Sequence, residues 1–333
     1  MTSESAALSR TDTDDSLLIG ITGDVMIGRM VNEMLSVTSY TYPWGDVLPL
    51  LRSTDINLIN LETALTTSTE EVLKVFNFKA DPDRVQSLIE AKIDVCNLAN
   101  NHVLDFSEEG LIETLSVLDD AQIEHVGAGQ NRTEALKPVI IEKKDITVGI
   151  IGFTDNEPGW EAEENTPGVS YVRVGDVAKI EKEIKKLRNE VDILIFTIHW
   201  GPNMVQRPKK EFIDFAHDII DLGVDIFHGH SAHIFQGIEV YNKKLILYDT
   251  GEFVDDYYVD PFLRNDQSFF YLVEIDKNGI KKVELVPILI FHMQVNKAVG
   301  SNYRETVDRL KLLSREFGTT IEETEKGVFV SME

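Results

Sequence analysis

Val95-Cys96-Asn97-Leu98-Ala99-Asn100-Asn101-His102-Val103-Leu104-Asp105 opens as a short apolar run and closes on polar residues with little business in a core. Four other stretches share this layout. Leu17 to Ile21 runs into Gly23-Asp24, and Ile56 to Ile59 into Asn60-Leu61-Glu62. Ile193 to Ile198 ends at His199-Trp200-Gly201, and Val224 to Phe227 at His228-Gly229-His230-Ser231-Ala232-His233. Each apolar run has the length and β-branched content of a buried strand, and each stops at a candidate metal ligand. In an open α/β sheet, groups just past the carboxyl ends of the strands meet in one crevice, where ligands bind. Five such endings predict an α/β fold that gathers donors from distant parts of the chain into one cation-holding cluster.

The surrounding chain sets bounds. Its 333 residues, 43% of them apolar, are enough to bury a large core. No apolar run reaches the roughly 18–20 residues that span a bilayer. The Ser/Thr/Asp-rich stretch 1–16 lacks a basic segment followed by an apolar one. It reads as a disordered leader, and the protein as cytoplasmic. Residues 17–300 are expected to form the main domain, with a helix and tail at 301–333 packed on it. A single cysteine, Cys96, excludes an internal disulfide and, inside a strand run, reads as a small core residue. The net charge of −25 argues against a nucleic-acid or anionic-membrane partner and suits cation recruitment, or plain solubility. Nothing in the sequence specifies an oligomeric state.

Strand and helix signals alternate to about residue 230. Helices are predicted over 27–35 and 44–51, from the Asp81-Pro82-Asp83 start to Ala91, from Ser107 to Asp120, and over 176–190. An amphipathic one covers 208–222 and stops at Gly223. Residues 138–141 and 146–153 pattern as a hairpin, and the polar stretch 154–170 as a long binding loop. Beyond 230, strands at 236–241, 245–248, 269–275 and 281–291 read as antiparallel sheet. A helix over 303–317 and an edge strand at 327–331 close the chain. A βα half followed by a β-rich half packs as two face-to-face sheets with helices outside.

The candidate donors are Asp24, Glu62, Asn101, His102, His199, His230 and His233. Carboxylate, amide and imidazole together suit one or two borderline divalent ions such as Mn, Fe or Zn, and the absence of thiolates excludes a zinc finger. Six oxygen and nitrogen ligands suit two ions about 3.5–4 Å apart sharing a carboxylate, able to activate water against a phosphoryl or acyl centre. Singly, each residue has a bland reading: Asp24 as a turn residue, Glu62 as a cap, Asn101 in an Asx-turn, His102 as a satisfied loop histidine. Asp105 either orients His102 or caps the helix that starts near Ser107. His228 reads as a supporting residue, and Arg29 as either an anion contact or a surface ion pair.

In these motifs the chain resembles the CapA family, the poly-gamma-glutamate capsule-synthesis proteins of the metallophosphoesterase (calcineurin-like) superfamily. The matching stretches are Gly23-Asp24-Val25-Met26-Ile27-Gly28-Arg29, Asn60-Leu61-Glu62-Thr63, Ala99 to Asp105, His199-Trp200-Gly201, Gly229 to His233 and Tyr248-Asp249-Thr250-Gly251-Glu252-Phe253, in family order. The resemblance implies a four-layer α/β/β/α sandwich and a role in making or tethering poly-gamma-glutamate. It implies metal positions at Asp24, Glu62, Asn101, His199, His230 and His233, with Glu62 bridging, and a leaving-group acid at His102 assisted by Asp105. Arg29, Trp200 and Glu252 are expected to touch a small-molecule, peptide or polyglutamate substrate. Three stretches depart from the pattern. Asp24-Val25-Met26 lacks the superfamily's Asp-x-His imidazole. Pro202-Asn203-Met204 replaces an acidic and an aromatic residue, and Thr250-Gly251-Glu252-Phe253 replaces Leu-Gly-Asn-Phe. The expected activity is a metal-dependent hydrolase of phosphoesterase or γ-glutamyl/peptide type. The competing expectation is a non-catalytic capsule-assembly or polymer-binding protein on the same scaffold.

Overall fold

Successive side chains of the strand Leu17–Val25 serve two different cores. Leu17, Ile19 and Ile21 enter one apolar cluster, whereas Leu18 and Val25 enter another. Ile56 and Leu58 divide from Ile59 and Leu61 in the same way, and Ile193 and Ile195 from Leu194, Phe196 and Ile198. A period of two with apolar residues on both faces is the pattern of a sheet covered on both sides. The computed structural model describes residues 15–332. The leader expected over 1–16 therefore lies outside the described residues, except for Asp15 and Ser16. Ser16 is already buried and donates to Glu274 at 3.0 Å.

Two large sheets result. The first has ten strands. Its parallel block is Leu17–Val25, Ile56–Leu61, Val95–Asn97 and Glu124–Val126. It continues from Leu17–Val25 through the antiparallel strands Gln267–Asp276, Gly279–Phe291, Gly327–Val330 and Ile321–Thr324. The second sheet orders Ile238–Tyr241, Lys244–Leu247, Ile226–His230, Ile193–His199, Ile146–Thr154 and Val139–Lys143, its middle four strands parallel. Inward-facing residues of both sheets form one shared cluster. On the outer face of the first sheet, the helices Arg29–Val37, Val85–Glu90 and Ser107–Asp120 bury Val31, Leu35, Leu88, Leu111 and Leu118. On the outer face of the second, Glu181–Arg188 and Lys210–Asp221 bury Ile184, Leu187, Phe215 and Ile219. This is the expected four-layer α/β/β/α sandwich.

Four expectations are corrected. The strands after 230 pair antiparallel as expected, Ile238–Tyr241 with Lys244–Leu247 and Gln267–Asp276 with Gly279–Phe291, but the two pairs are divided between the two sheets. Lys244–Leu247 lies parallel to Ile226–His230 in the second sheet, and Gln267–Asp276 covers the open side of Leu17–Val25 in the first. Gly327–Val330 is not the edge, because Ile321–Thr324 pairs outside it. Asp81 stands at the N-cap position but makes no side-chain capping bond; the Arg84 guanidinium takes its carboxylate at 3.2 Å. The helix predicted from 176 starts only at Glu181. The last helix, Gly300–Arg315, inserts Val307, Leu310 and Leu313 among the inner-face residues. Among the described residues no helix is long and apolar enough to cross a membrane.

Candidate metal centre

Strand register, not chain proximity, brings the candidate donors together. In the first sheet Asp24 lies between Asn60 on one side and Glu252 on the other. In the second, His199 is paired with His230. The two sheets end at one place: Asp24 Oδ1 is 3.7 Å from His199 Nδ1 and 3.5 Å from His230 Nδ1, and Asp24 Oδ2 is 3.5 Å from His233 Nδ1. Glu62, one residue past its strand, sets Oε1 3.8 Å from His199 Nε2 and 3.6 Å from His102 Nε2. His233 reaches the cluster through a turn with φ of 118° at Ser231 and 60° at His233 itself, backbone that L-residues adopt only when the surroundings enforce it. Asp249 enforces it here, accepting from Ala232 N at 2.7 Å and from Gly251 N at 2.8 Å. One carboxylate therefore ties the His233 turn to the segment that carries Glu252.

The donors fit a metal. Seven of the sixteen buried side-chain polar atoms that lack a hydrogen-bond partner among the described residues belong to this cluster. They are Asp24 Oδ2, both Glu62 oxygens, His199 Nε2, His233 Nδ1 and both Glu252 oxygens. His233 Nδ1 touches the Glu252 carboxylate as an ion pair without hydrogen-bond geometry. Each such orphan costs about 1–3 kcal/mol, so a concentration of them points to a missing partner that accepts lone pairs. The donor atoms form two sets, each within 4.8 Å: Asp24, His199 and His230; and Asp24, Glu62, His233 and Glu252.

Hydrogen bonding also assigns lone pairs. His228 Nε2 must donate to the Thr22 carbonyl at 2.9 Å, so its Nδ1 accepts from Thr197 Oγ1 at 3.0 Å. Thr197 Oγ1 then accepts from His230 Nε2 at 3.1 Å, which leaves His230 Nδ1 unprotonated. Asn60 Oδ1 accepts from Asn97 and Asn100, so its Nδ2 donates to Asp24 Oδ1 at 2.7 Å and to His199 Nδ1 at 3.2 Å. His199 Nδ1, which accepts from Asn60, and the unprotonated His230 Nδ1 thus stand 3.0 Å apart.

Electrostatics divide the donors. Burial depresses His199, His228 (to about 4) and His230, so these rings are neutral. Burial pushes Glu62 and Glu252 well above the usual carboxylate range, and the Asp24 charge adds to the effect on Glu62. Burial would also raise Asp24, but the His199, His233 and His230 imidazoles beside it hold it well below that range. Burial opposes charge on His233, yet Glu252 and Glu62 hold its imidazole well above the ordinary value.

The remaining predicted residues divide. His102 Nδ1 bonds Asp105 Oδ2 at 2.5 Å, and its ring stacks on Phe78 with centroids 3.8 Å apart. Burial lowers this imidazole to about 4 against the pull of Asp105. Asp105 does not cap the following helix; its carboxylate also accepts from Phe78 N at 2.7 Å and Lys74 Nζ at 2.8 Å. Asn101 presents a buried, unpartnered Oδ1 beside His102. Arg29 pairs with buried Asp256 at 3.2 Å and lies over Phe78 and Tyr257, the rings that flank His102 and His233. Trp200 is corrected: its ring is buried in the outer layer against Phe212 and Phe227, and its Nε1 donates to the Tyr248 carbonyl. Glu252 is corrected too, since its carboxylate lies among the metal donors and not at a substrate rim. Sequence reading missed Asn60, Asn97 and Lys74. A polar residue inside an apolar strand was the available signal for the first two.

The sequence pattern of the bacterial capsule synthesis protein family PGA_cap covers residues 18–257, every donor included. The chain belongs to this family. This PGA_cap chain is 32% identical over 318 residues to a probable polyglutamine synthesis accessory protein of Mycobacterium tuberculosis, covering 90% of this chain and 84% of that one. It is 30% identical over 283 residues to the PGA biosynthesis protein CapA of Bacillus subtilis, covering 84% and 73%. Among solved structures it is similar to a hypothetical protein from Thermus thermophilus, with a TM-score of 0.50, 13% identity and coverage of 81% and 98%. At that identity the likeness is one of fold.

Proposed function

We propose that this chain is a metal-dependent hydrolase serving poly-gamma-glutamate or capsule synthesis, acting on a phosphoester or a γ-glutamyl/peptide-like bond. The observation that carries the reading is the concentration of unpartnered buried donors where the two sheets end. Asp24, Glu62, Asn101, His199, His230 and His233 would hold the ions. Bound there, divalent ions supply a Lewis acid for the substrate oxygen and lower the pKa of water. The chain's own contribution is proton transfer at the rim. Asp105 fixes the proton of His102 on Nδ1, so Nε2, on the Glu62 side, is the atom that exchanges a proton with the substrate. Phe78 and burial keep bulk water from the ring.

A groove of about 270 Å³ adjoins this rim, between Val72 and Leu104 on one side and Trp160 and Pro167 on the other. Lys74 connects the two, bonded to Asp105 and lying 4.9 Å from the Trp160 ring centroid. The groove suits the leaving portion of an extended substrate. The description of the mycobacterial relative as an accessory protein favours a second reading, a non-catalytic accessory or polymer-binding protein.

Metal analysis of the purified protein, with turnover measured on aryl phosphate mono- and diesters, γ-glutamyl peptides and poly-gamma-glutamate, separates the two. The expected result is bound Mn, Fe or Zn and a turnover that His102→Ala reduces by about 10²–10⁴-fold. A metal-free, inert protein that binds the polymer would establish the second reading instead.

A further inference from the structure

We infer that Glu252 is a metal ligand, which makes one of the two cation positions oxygen-rich and selective for a hard, six-coordinate divalent ion of the Mn²⁺ type. The inference rests on reading the cluster as a metal centre and goes further, by assigning its donors and its preference.

Four observations converge on Glu252. Its strand, Glu252–Val254, pairs in parallel with the end of Leu17–Val25, in a register that sets Glu252 directly beside Asp24. The backbone there is locked: Asp24 N donates to Gly251 O and Met26 N to Val254 O, both at 2.8 Å. The Glu252 side chain is fully buried, and neither carboxylate oxygen has a hydrogen-bond partner. Finally, its donor atom lies within 4.8 Å of those of Asp24, Glu62 and His233. A lone buried carboxylate would be expelled or paired. Here Asp24, Glu62 and Glu252 are fully buried together, with only the His233 imidazole touching Glu252. A dication resolves both the charge and the empty lone pairs.

The two donor sets then differ in chemistry. Three carboxylates and one imidazole make a hard set, of the kind that suits Mn²⁺ and Mg²⁺. Asp24 with His199 and His230 makes a nitrogen-rich set, of the kind that suits Zn²⁺ or Fe²⁺. Asp24 belongs to both sets, so Asp24, and not the expected Glu62, would be the shared carboxylate. No donor accompanies Asp24 on its own strand, because Met26 is buried in the outer core. Glu252 occupies the space beside it.

The test is metal stoichiometry in wild type and in Glu252→Gln, a nearly isosteric change, after apo protein is loaded with Mn²⁺ and Zn²⁺ together and analysed by elemental analysis and Mn²⁺ electron paramagnetic resonance. Wild type is expected to hold two ions per chain with Mn²⁺ at one of them. Glu252→Gln is expected to hold one ion and to lose Mn²⁺ affinity by at least the ~10–100-fold that removing a merely supporting carboxylate costs. Two ions held by Glu252→Gln at unchanged Mn²⁺ affinity would overturn the assignment. So would a wild-type protein that binds no divalent ion, an outcome that also ends the hydrolase reading. A two-ion protein without turnover would end that reading alone. Because Glu252→Gln can misfold, anomalous diffraction from wild-type crystals at the manganese edge is the second measurement. A peak bonded to Glu252 supports the inference, and a peak out of its reach refutes it.

Discussion

Asp105 accepts three donors at once: His102 Nδ1 at 2.5 Å, Phe78 N at 2.7 Å and Lys74 Nζ at 2.8 Å. It thereby fixes the tautomer of His102, the angle of the ring that stacks on Phe78, and the position of the loop that delivers Lys74. Asp105→Asn keeps the volume but lets the amide present a donor to Nδ1, which moves the imidazole proton to the wrong nitrogen. We expect kcat/KM to fall about 10–100-fold, as when other orienting carboxylates are removed, with metal content unchanged. A loss of bound metal in this variant would show that Asp105 acts on the ligands instead. At this scale much of the site was legible in the sequence, because a carboxylate or imidazole that ends an apolar run has no packing role to explain it. Asn60 was hidden by its neighbour Glu62, and Lys74 by a loop whose return to His102 no local pattern announces. Trp200 misled because adjacency to His199 says nothing about face. On a strand end, consecutive side chains point to opposite sides, so if His199 faces the cluster Trp200 faces the outer layer.

The short strand Glu252–Val254 shows how an element is created by what its neighbour leaves uncovered. Gln267–Asp276 pairs with Leu17 to Ile21 and no further, and the exposed end of the strand, Asp24 and Val25, is taken by Glu252 and Val254. The approach at that junction is so close that a Cβ on Gly23 would come within 1.7 Å of the Gly251 carbonyl oxygen. Gly23→Ala must therefore push the two segments apart. We expect a stability loss of about 1–3 kcal/mol, the usual cost of overpacking, together with loss of bound metal as Glu252 leaves Asp24. Urea unfolding and elemental analysis on the same preparation check both. Full stability with full metal content would show the junction to be more pliant than its geometry. The parallel strands were readable at this scale, since each is a short β-branched run that ends in a polar motif. The later strands were recognisable as strands but not assignable to a sheet. Alternation and turn chemistry are local, whereas the choice between the two sheets depends on which edge is open hundreds of residues away in sequence.

For the whole molecule, charge decides which substrates approach. The chain carries a net −25, and the groove beside His102 is lined by Glu108, Glu161 and Glu163. A polyanion such as poly-gamma-glutamate meets repulsion over a range set by the Debye length, ~30 Å at 0.01 M salt and ~8 Å at 0.15 M. Added salt should therefore strengthen, not weaken, its binding. We expect kcat/KM for the polymer to rise on the order of tenfold between about 0.01 and 0.15 M NaCl, the scale on which electrostatic steering changes association rates. For a short γ-glutamyl peptide with a neutral or cationic leaving portion, the same titration should leave kcat/KM level or lower it. If polymer turnover or binding falls with salt instead, the polymer follows a local basic track, and the acidic groove is not its path. The opposite slopes expected for the two substrates make the result independent of any general effect of salt on the fold, because both are measured on one protein under one set of conditions.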